Sequence, residues 1–511
     1  MTNENSTYDK LIDQTKQTHI LHATTSLLNW DQEVMMPGRA VAFRSRQIAQ
    51  LARLGHVMAT DPRIHELLEV CEADDSLVSD PLSITAVNLR EIRRAYDRAT
   101  KLPARLVSEF AQVTSLARHE WSEARKQSDF ERFAPHLNKI VELNRRKAEC
   151  YGWPEDGEAW DALADGYQTG CTAAYVESVF VPLRDRLIRL VRELADSQIS
   201  PNGAFNEHPV PIEQQRSFVR YVAQQIGFDF ERGRLDESAH PFCSGTHVHD
   251  TRMTTRFGPT NLLDALGSTI HECGHGIYNQ NLPGLSDDAY IGTPLGSSVS
   301  YSIHESQSRL WENQVGRSWP FWCWCYPKMT EHLGPALGSF TLEQVYGAAN
   351  LVQPSLIRVE ADEATYNLHI MVRFEIEREL ISGEIDGTDL PKVWNDKYQE
   401  YLGVQVPDDR RGCLQDIHWA QGAMGYFPTY TLGNLYAAQF FETAQEQLSD
   451  LPDQLAAGHF APLKAWLGKH IHSQGMRYDT ESLCQHVSAK PLSADALMRH
   501  LESKLRPLYG L

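Results

Sequence analysis

The sequence predicts a mainly α-helical fold, and three observations predict it. Apolar residues recur at helical spacing over long stretches, strand-like alternation is scarce, and Pro/Gly punctuation is confined to short clusters. Taken in chain order, much of 85–150 reads as helix, and residues 175–198 (YVESVFVPLRDRLIRLVRELADSQ) read as one long amphipathic helix. MTTRF at 253–257 is the best short strand candidate. A helix then follows Asn261, which has Asp264 three residues on in a capping arrangement. Leu262, Leu263, Leu266, Ile270, Cys273 and Ile277 supply its apolar periodicity, and Asn281-Leu282-Pro283-Gly284 closes it. Gly274 and Gly276 each cost that helix about 1 kcal/mol and leave room for another backbone to approach. Residues 299–317 (VSYSIHESQSRLWENQVGR) read as a further helix, ended by Trp319-Pro320. Leu368, Val372, Ile376 and Leu380 form an i, i+4 stripe that stops at Ser382-Gly383.

The punctuation around 199–213 and 281–297 does not resemble a flexible tether, and no repeat is present. The chain is therefore expected to form one catalytic unit over 1–511, its helices up to about residue 200 forming part of one wall of a cleft. At 42% hydrophobic and 23% charged residues, the composition is that of a globular protein. The net charge of -19 argues against nucleic acid and anionic membranes as partners. The polar opening MTNENSTYDKLIDQTKQTHILH lacks the apolar core of a secretory signal, and no apolar run is long enough to span a bilayer. Nine scattered cysteines, an odd number, fit free thiols in a reducing compartment, so a cytoplasmic location is expected.

The chemistry centres on HECGH at 271–275. On a helix, His271 and His275 lie one above the other and can aim two imidazoles at one ion. Zinc accepts nitrogen ligands at roughly 2.0–2.1 Å, a distance this spacing satisfies. Glu272 lies beside that face, placed to act as general base. With 21 histidines in the chain, a chance match or a pair of satisfied core histidines is the bland alternative. A third protein ligand is needed; Glu305, Glu312 and His304 are the candidates, with spacing slightly favouring Glu305. His247-Val248-His249 suits metal-dependent amidohydrolases, but the sequence lacks their strand–helix rhythm. Cys323 and Cys325 are too close for the usual C-x-x-C site and read as packing, as does Cys273.

Further blocks make the chain recognisable: WDQEVMMP at 30–37, HPF at 240–242, DTRMT at 250–254, GTPLGSSVSYSIHESQSRLWEN at 292–313, IRVEAD at 357–362 and GCLQDIHW at 412–419. With HECGH between them, they resemble the Taq-type carboxypeptidase family of cytoplasmic zinc metallopeptidases over nearly the whole length. The resemblance implies a large helical fold in two lobes around a deep central cleft, similar to neurolysin and angiotensin-converting enzyme. It implies Glu305 as third metal ligand, cobalt as a substitute for zinc, and a homodimer. It also implies release of single residues from peptide C-termini with broad specificity, proline being disfavoured.

Recognition of a free carboxylate suits arginine, whose planar fork meets both oxygens. Arg358 is the first choice, as the resemblance implies, with Arg252 and Arg411 as further candidates. His418, Tyr426 and Tyr430 are the candidate oxyanion donors, similar to His and Tyr positions in neurolysin-like enzymes. Asp362 and Glu363 are candidate partners for the metal-facing imidazoles. The alternatives are an oligopeptidase or endopeptidase with the same metal site, and an inert binding protein. The intact glutamate of HECGH argues against the latter.

Overall fold

Helices begin where a short polar side chain can satisfy the first free N–H groups. Ser6, Ser83, Thr172 and Ser300 cap the helices Thr7–Val34, Ile84–Lys101, Ala173–Ala195 and Tyr301–Arg309 in this way. The computed structural model describes residues 6–511; the first five residues of the polar opening segment lie outside them. The stretch 85–150 divides into Ile84–Lys101, Ala104–Gln127 and Phe130–Tyr151. Ala173–Ala195 realises the long amphipathic helix, burying Leu183, Leu187, Leu190 and Leu194.

The stripe of Leu368, Val372, Ile376 and Leu380 lies on helix Tyr366–Ser382, whose C-cap is Gly383 at φ 91°. This helix is more deeply buried than a stripe requires. Every residue from Tyr366 to Phe374 is buried, including His369 and Arg373, so it runs through the middle of the molecule. Trp319-Pro320 opens a new helix, Trp319–Leu333, as well as ending the previous one. There Phe321 and Trp324 pack on Phe460, and Cys325 is buried. The nine cysteines are unpaired. Among the described residues no helix is long and apolar enough to cross a membrane.

The β element is a three-stranded sheet ordered β1-β3-β2, with β1 Gly233–Glu237, β2 Cys243–His247 and β3 Asp250–Thr255. β1 runs parallel to β3 and β2 antiparallel to it, pairing Arg234 and Ser244 with Arg252. The expected strand at 253–257 therefore starts three residues earlier and ends before Arg256. β1 escapes detection because GRLDE carries three charges and no apolar alternation.

Among the described residues two apolar cores form. The larger runs from Ala117 to Tyr509 and contains the sheet and the HECGH helix. The smaller holds Leu11, Ile64, Leu68, Cys71, Leu89 and Ile92 from the N-terminal helices. Between them, Trp30 of the WDQE block is flanked by Arg234 and Arg252, whose guanidinium carbons lie 4.9 and 4.4 Å from its ring centre. This cation–π clamp docks helix Thr7–Val34 on the sheet.

Candidate active site

The irregular stretch 256–261 carries the chain from β3 to helix Leu262–Gln280. Asn261 adopts a left-handed conformation at φ 62° and caps the helix by accepting from Asp264 N–H. The Asp264 carboxylate is engaged by Arg256, so the capping is one-sided. The two glycines of the motif have distinct neighbours. A Cβ on Gly274 would lie 2.4 Å from the carbonyl oxygen of Gln307, and one on Gly276 would lie 2.6 Å from the Phe228 ring. Gly274 thus permits helix Tyr301–Arg309 to approach backbone to backbone. On the opposite side Gly433 admits Glu305, whose Cγ lies 2.6 Å from where a Gly433 Cβ would stand.

This close approach brings Glu305 to the two histidines. Glu305 Oε2 lies 3.4 Å from His275 Nε2 and 3.8 Å from His271 Nε2. One ligand atom from each of the three residues falls within a mutual 4.8 Å. The other ring nitrogens are engaged: His271 Nδ1 lies 2.8 Å from Glu312 Oε2, and His275 Nδ1 lies 3.0 Å from the carbonyl of His304. With Nδ1 protonated in both rings, the Nε2 lone pairs turn towards Glu305. Two imidazole nitrogens and a carboxylate oxygen are a donor set suited to a divalent cation. A tetrahedral zinc site has ligand–ligand edges of about 3.4 Å, close to the separations found.

Electrostatics keep the donors ready. Burial raises the Glu305 carboxyl, yet Arg309, His271 and His275 together hold it well below the usual carboxylate range. Arg309 Nε occupies the second oxygen of Glu305 at 2.7 Å, leaving Oε2 facing the histidines. Glu312 is likewise held down to about 2, with Arg309 and His271 outweighing its burial. It stands behind His271 as an orienting carboxylate, apart from the candidate ligand set. His304 also stands behind: its Nε2 donates to Asn279 Oδ1 at 2.9 Å and its Nδ1 abuts His275 Nδ1 at 2.6 Å.

Glu272 is 5% exposed, lines the cavity, and leaves Oε2 without a hydrogen-bond partner. Burial raises its pKa. The cavity is about 1150 Å³, and its lining includes His271, His275, Glu305, Arg358, Tyr426 and Tyr430. In sequence its lining begins at Asn206, and Tyr167 packs against the lining residues Tyr301 and Tyr426 from behind.

Arg358 is buried in the wall, with Nη2 2.7 Å from Asp416 Oδ1 and Nη1 3.0 Å from the Tyr366 hydroxyl. Asp416 also binds the fully buried Arg373, at 2.7 Å from its Nε. His418 Nε2 lies 3.3 Å from the Tyr430 hydroxyl, directly behind the lining. Burial pushes His418 down to about 3, so the ring is neutral near pH 7.

The structure does not bring Arg252 or Arg411 into the cavity lining. Arg252 is bound to Asp250 and lies over Trp30, and the exposed Arg411 is bound to Asp408. His247 and His249 stand at the β2–β3 turn, outside the lining. Nor do Asp362 and Glu363 reach the imidazoles. Asp362 accepts from Gln353, Ala364 and Thr365, while Glu363 pairs with His500 and Lys504. Arg309, Arg373 and Asp416 were missed by sequence reasoning. Only Arg309 carried a local signal, the i, i+4 spacing from Glu305.

Comparison with known proteins covers nearly the whole chain. The family model described as "Carboxypeptidase Taq (M32) metallopeptidase" matches residues 10–505. Thermostable carboxypeptidase 1 of Thermus thermophilus is 44% identical, covering 98% of this chain and 99% of that one. Carboxypeptidase 1 of Bacillus subtilis is 37% identical, covering 99% of each chain. The crystal structure of an M32 carboxypeptidase from Deinococcus radiodurans R1 superposes with a TM-score of 0.94 at 36% identity, covering 99% of this chain and 100% of that one. The chain belongs to the carboxypeptidase Taq (M32) metallopeptidase family.

Proposed function

We propose that this cleft releases amino acids one at a time from free peptide C-termini, with broad specificity and with zinc held by His271, His275 and Glu305. Family membership carries the coarser statement that the chain is a metal-dependent carboxypeptidase. The observation that carries the finer one is the pairing of two features in one cavity. Two Nε2 atoms and Glu305 Oε2 converge beside an unpartnered Glu272 oxygen, and a buried arginine, Arg358, stands in the same wall.

A bound divalent ion supplies Lewis acidity and lowers the pKa of water towards about 7. The chain's own groups do the rest. Glu272 takes a proton from the attacking water and passes it to the leaving amine. Its unpartnered oxygen and raised pKa suit that exchange. The Tyr426 and Tyr430 hydroxyls, with neutral His418 behind Tyr430, donate to the oxyanion as charge develops there. Arg358, held by Asp416, binds the terminal carboxylate and thereby selects exopeptidase over oligopeptidase cleavage. The N/N/O donor set supports zinc, with cobalt able to replace it.

The family resemblance supports a homodimer, and Ile20, Phe43 and Val57 on the first two helices are exposed apolar residues available to its interface. Nine unpaired cysteines support a cytoplasmic location. The charge of -19 supports peptides, with neither nucleic acid nor membrane, as partners.

The test is mass spectrometry of a peptide digested with and without a chelator, beside its C-terminally amidated twin. A ladder shortened one residue at a time from the free C-terminus, abolished by chelator and absent for the amide, is expected. Internal cleavage, or equal cleavage of the amide, would refute the proposal.

A further inference from the structure

One buried carboxylate has no part in the chemistry described so far. Glu377 on helix Tyr366–Ser382 is fully buried; the nearby Arg373 favours its charged form from a distance but is itself ion-paired with Asp416. Three N–H groups from two other segments converge on the Glu377 carboxylate instead. Trp419 Nε1 donates to Oε1 at 2.9 Å, Gly425 N–H donates to Oε2 at 2.9 Å, and Trp160 Nε1 donates to Oε2 at 3.2 Å. Burial raises the carboxyl to about 7, while the three donors favour its charged form.

The places these donors occupy matter. Trp419 follows His418 directly, and Gly425 precedes Tyr426 directly. The two bonds therefore fasten both ends of the stretch that begins with His418 and ends with Tyr426. Gly425 sits at φ 88°, where an added Cβ would lie 2.7 Å from Ala164 N. The segment is thus pressed against helix Ala159–Ala164, the helix that also supplies Trp160. His418 and Tyr426 stack at 5.5 Å between ring centres, and the Tyr430 hydroxyl is 3.3 Å from His418 Nε2. A shift at either fastening would move a ring in that group.

We propose that Glu377 is a positioning residue for the reaction, holding the His418–Tyr426 segment so that its rings and Tyr430 meet the transition state. The inference rests on the role given above to those rings. Glutamine at 377 keeps size and shape but has one acceptor oxygen. Its NH₂ group would face Trp419 N–H or the Gly425 and Trp160 N–H groups, donor against donor. The segment should shift while the proposed metal ligands, on other helices, stay in place.

The experiment compares metal-loaded wild-type, Glu377→Gln, Trp419→Phe and Tyr430→Phe proteins on an N-blocked dipeptide with a free C-terminus. Expected for Glu377→Gln is a fall in kcat of about tenfold to a hundredfold, the scale of a small misplacement of reacting groups. KM should stay within about twofold, with full metal occupancy and an unchanged far-UV spectrum. Trp419→Phe removes one donor and should show the same split more weakly. It keeps the test alive if Glu377→Gln does not fold. Wild-type kcat in folded Glu377→Gln, or a loss of kcat that only follows a loss of metal, would overturn the inference. An impaired Tyr430→Phe beside a wild-type Glu377→Gln sinks the positioning role alone. A wild-type Tyr430→Phe removes the parent reading and this inference together.

Discussion

Glu272 keeps one carboxylate oxygen without a partner although the side chain is buried, a costly arrangement for structure alone. Glu272→Gln should retain one full metal equivalent and lose about a hundredfold to ten-thousandfold in kcat, the contribution typical of a placed general base. Metal content and kcat on one preparation check this; near-normal turnover in a metal-loaded variant contradicts it. Arg358 is the second informative position. Its partner Asp416 keeps Arg373 when Arg358 is removed, so Arg358→Ala leaves no carboxylate buried alone. The variant should fold and raise KM for peptides with free C-termini, with little effect on any residual cleavage of amidated ones. Equal impairment on both substrates would count against the carboxylate role. These two residues were legible at different depths. Glu272 lies between two histidines one helical turn apart, a purely local pattern. Asp416 and Arg373 meet 43 positions apart, and nothing in either neighbourhood announces the pairing. Arg252 and Arg411 show the converse: aspartates two and three residues before them, visible in the sequence, already claim their guanidinium groups.

At the scale of elements, the proposed metal ligands depend on two helices touching at Gly274. Its would-be Cβ meets backbone, which cannot swing aside as a side-chain tip could. Gly274→Ala should therefore push helix Tyr301–Arg309 away and carry Glu305 with it. A destabilisation of roughly 1–3 kcal/mol from overpacking is expected, partly offset by alanine's better helix propensity, with weaker metal binding. Thermal melting and a metal titration check both; wild-type affinity would show that the contact is slack. Helices with a single apolar stripe were read well from spacing. Helix Tyr366–Ser382 was found by its stripe, but its all-round burial was not, since Asn367, His369, Arg373 and Glu377 look like a solvent face until their partners are known. β1 was hidden for a related reason: its pairing with β3 is by backbone, and its side chains are half-exposed and charged.

For the whole molecule, the buried titratable groups set how stability varies with acidity. His418 and His472 are both held near 3 by burial, below their ordinary 6.5. Each stays neutral in the fold while the unfolded chain takes up a proton. Their contribution is present above pH 6.5 and is lost as pH falls towards 3. Glu312, held near 2, adds to that loss below its ordinary 4.5. Glu377 works in the opposite sense: raised to about 7, its contribution is full below pH 4.5 and is lost as pH rises through 7. Melting temperature should drop as pH is lowered from 6.5 to 4, and Glu377→Gln should make the drop steeper. A flat profile would argue against neutral buried histidines. Chelation should also lower the melting temperature, and added zinc restore it, because the ion binds the folded chain.

Apart from the clamp of Trp30 between two arginines, little anchors the first two helices. Helix Val41–Ala59 buries only Gly55, and helix Thr7–Val34 buries only Leu11 and Trp30. Those first two helices consequently have little of their own to resist loosening. In native-state amide exchange of the protein diluted until its subunits separate, residues 41–59 should trade their hydrogens for deuterium long before residues 366–382 do, and the proposed homodimer should slow them. A protease at low dose should nick that front portion first and leave the hydrolase behind it intact.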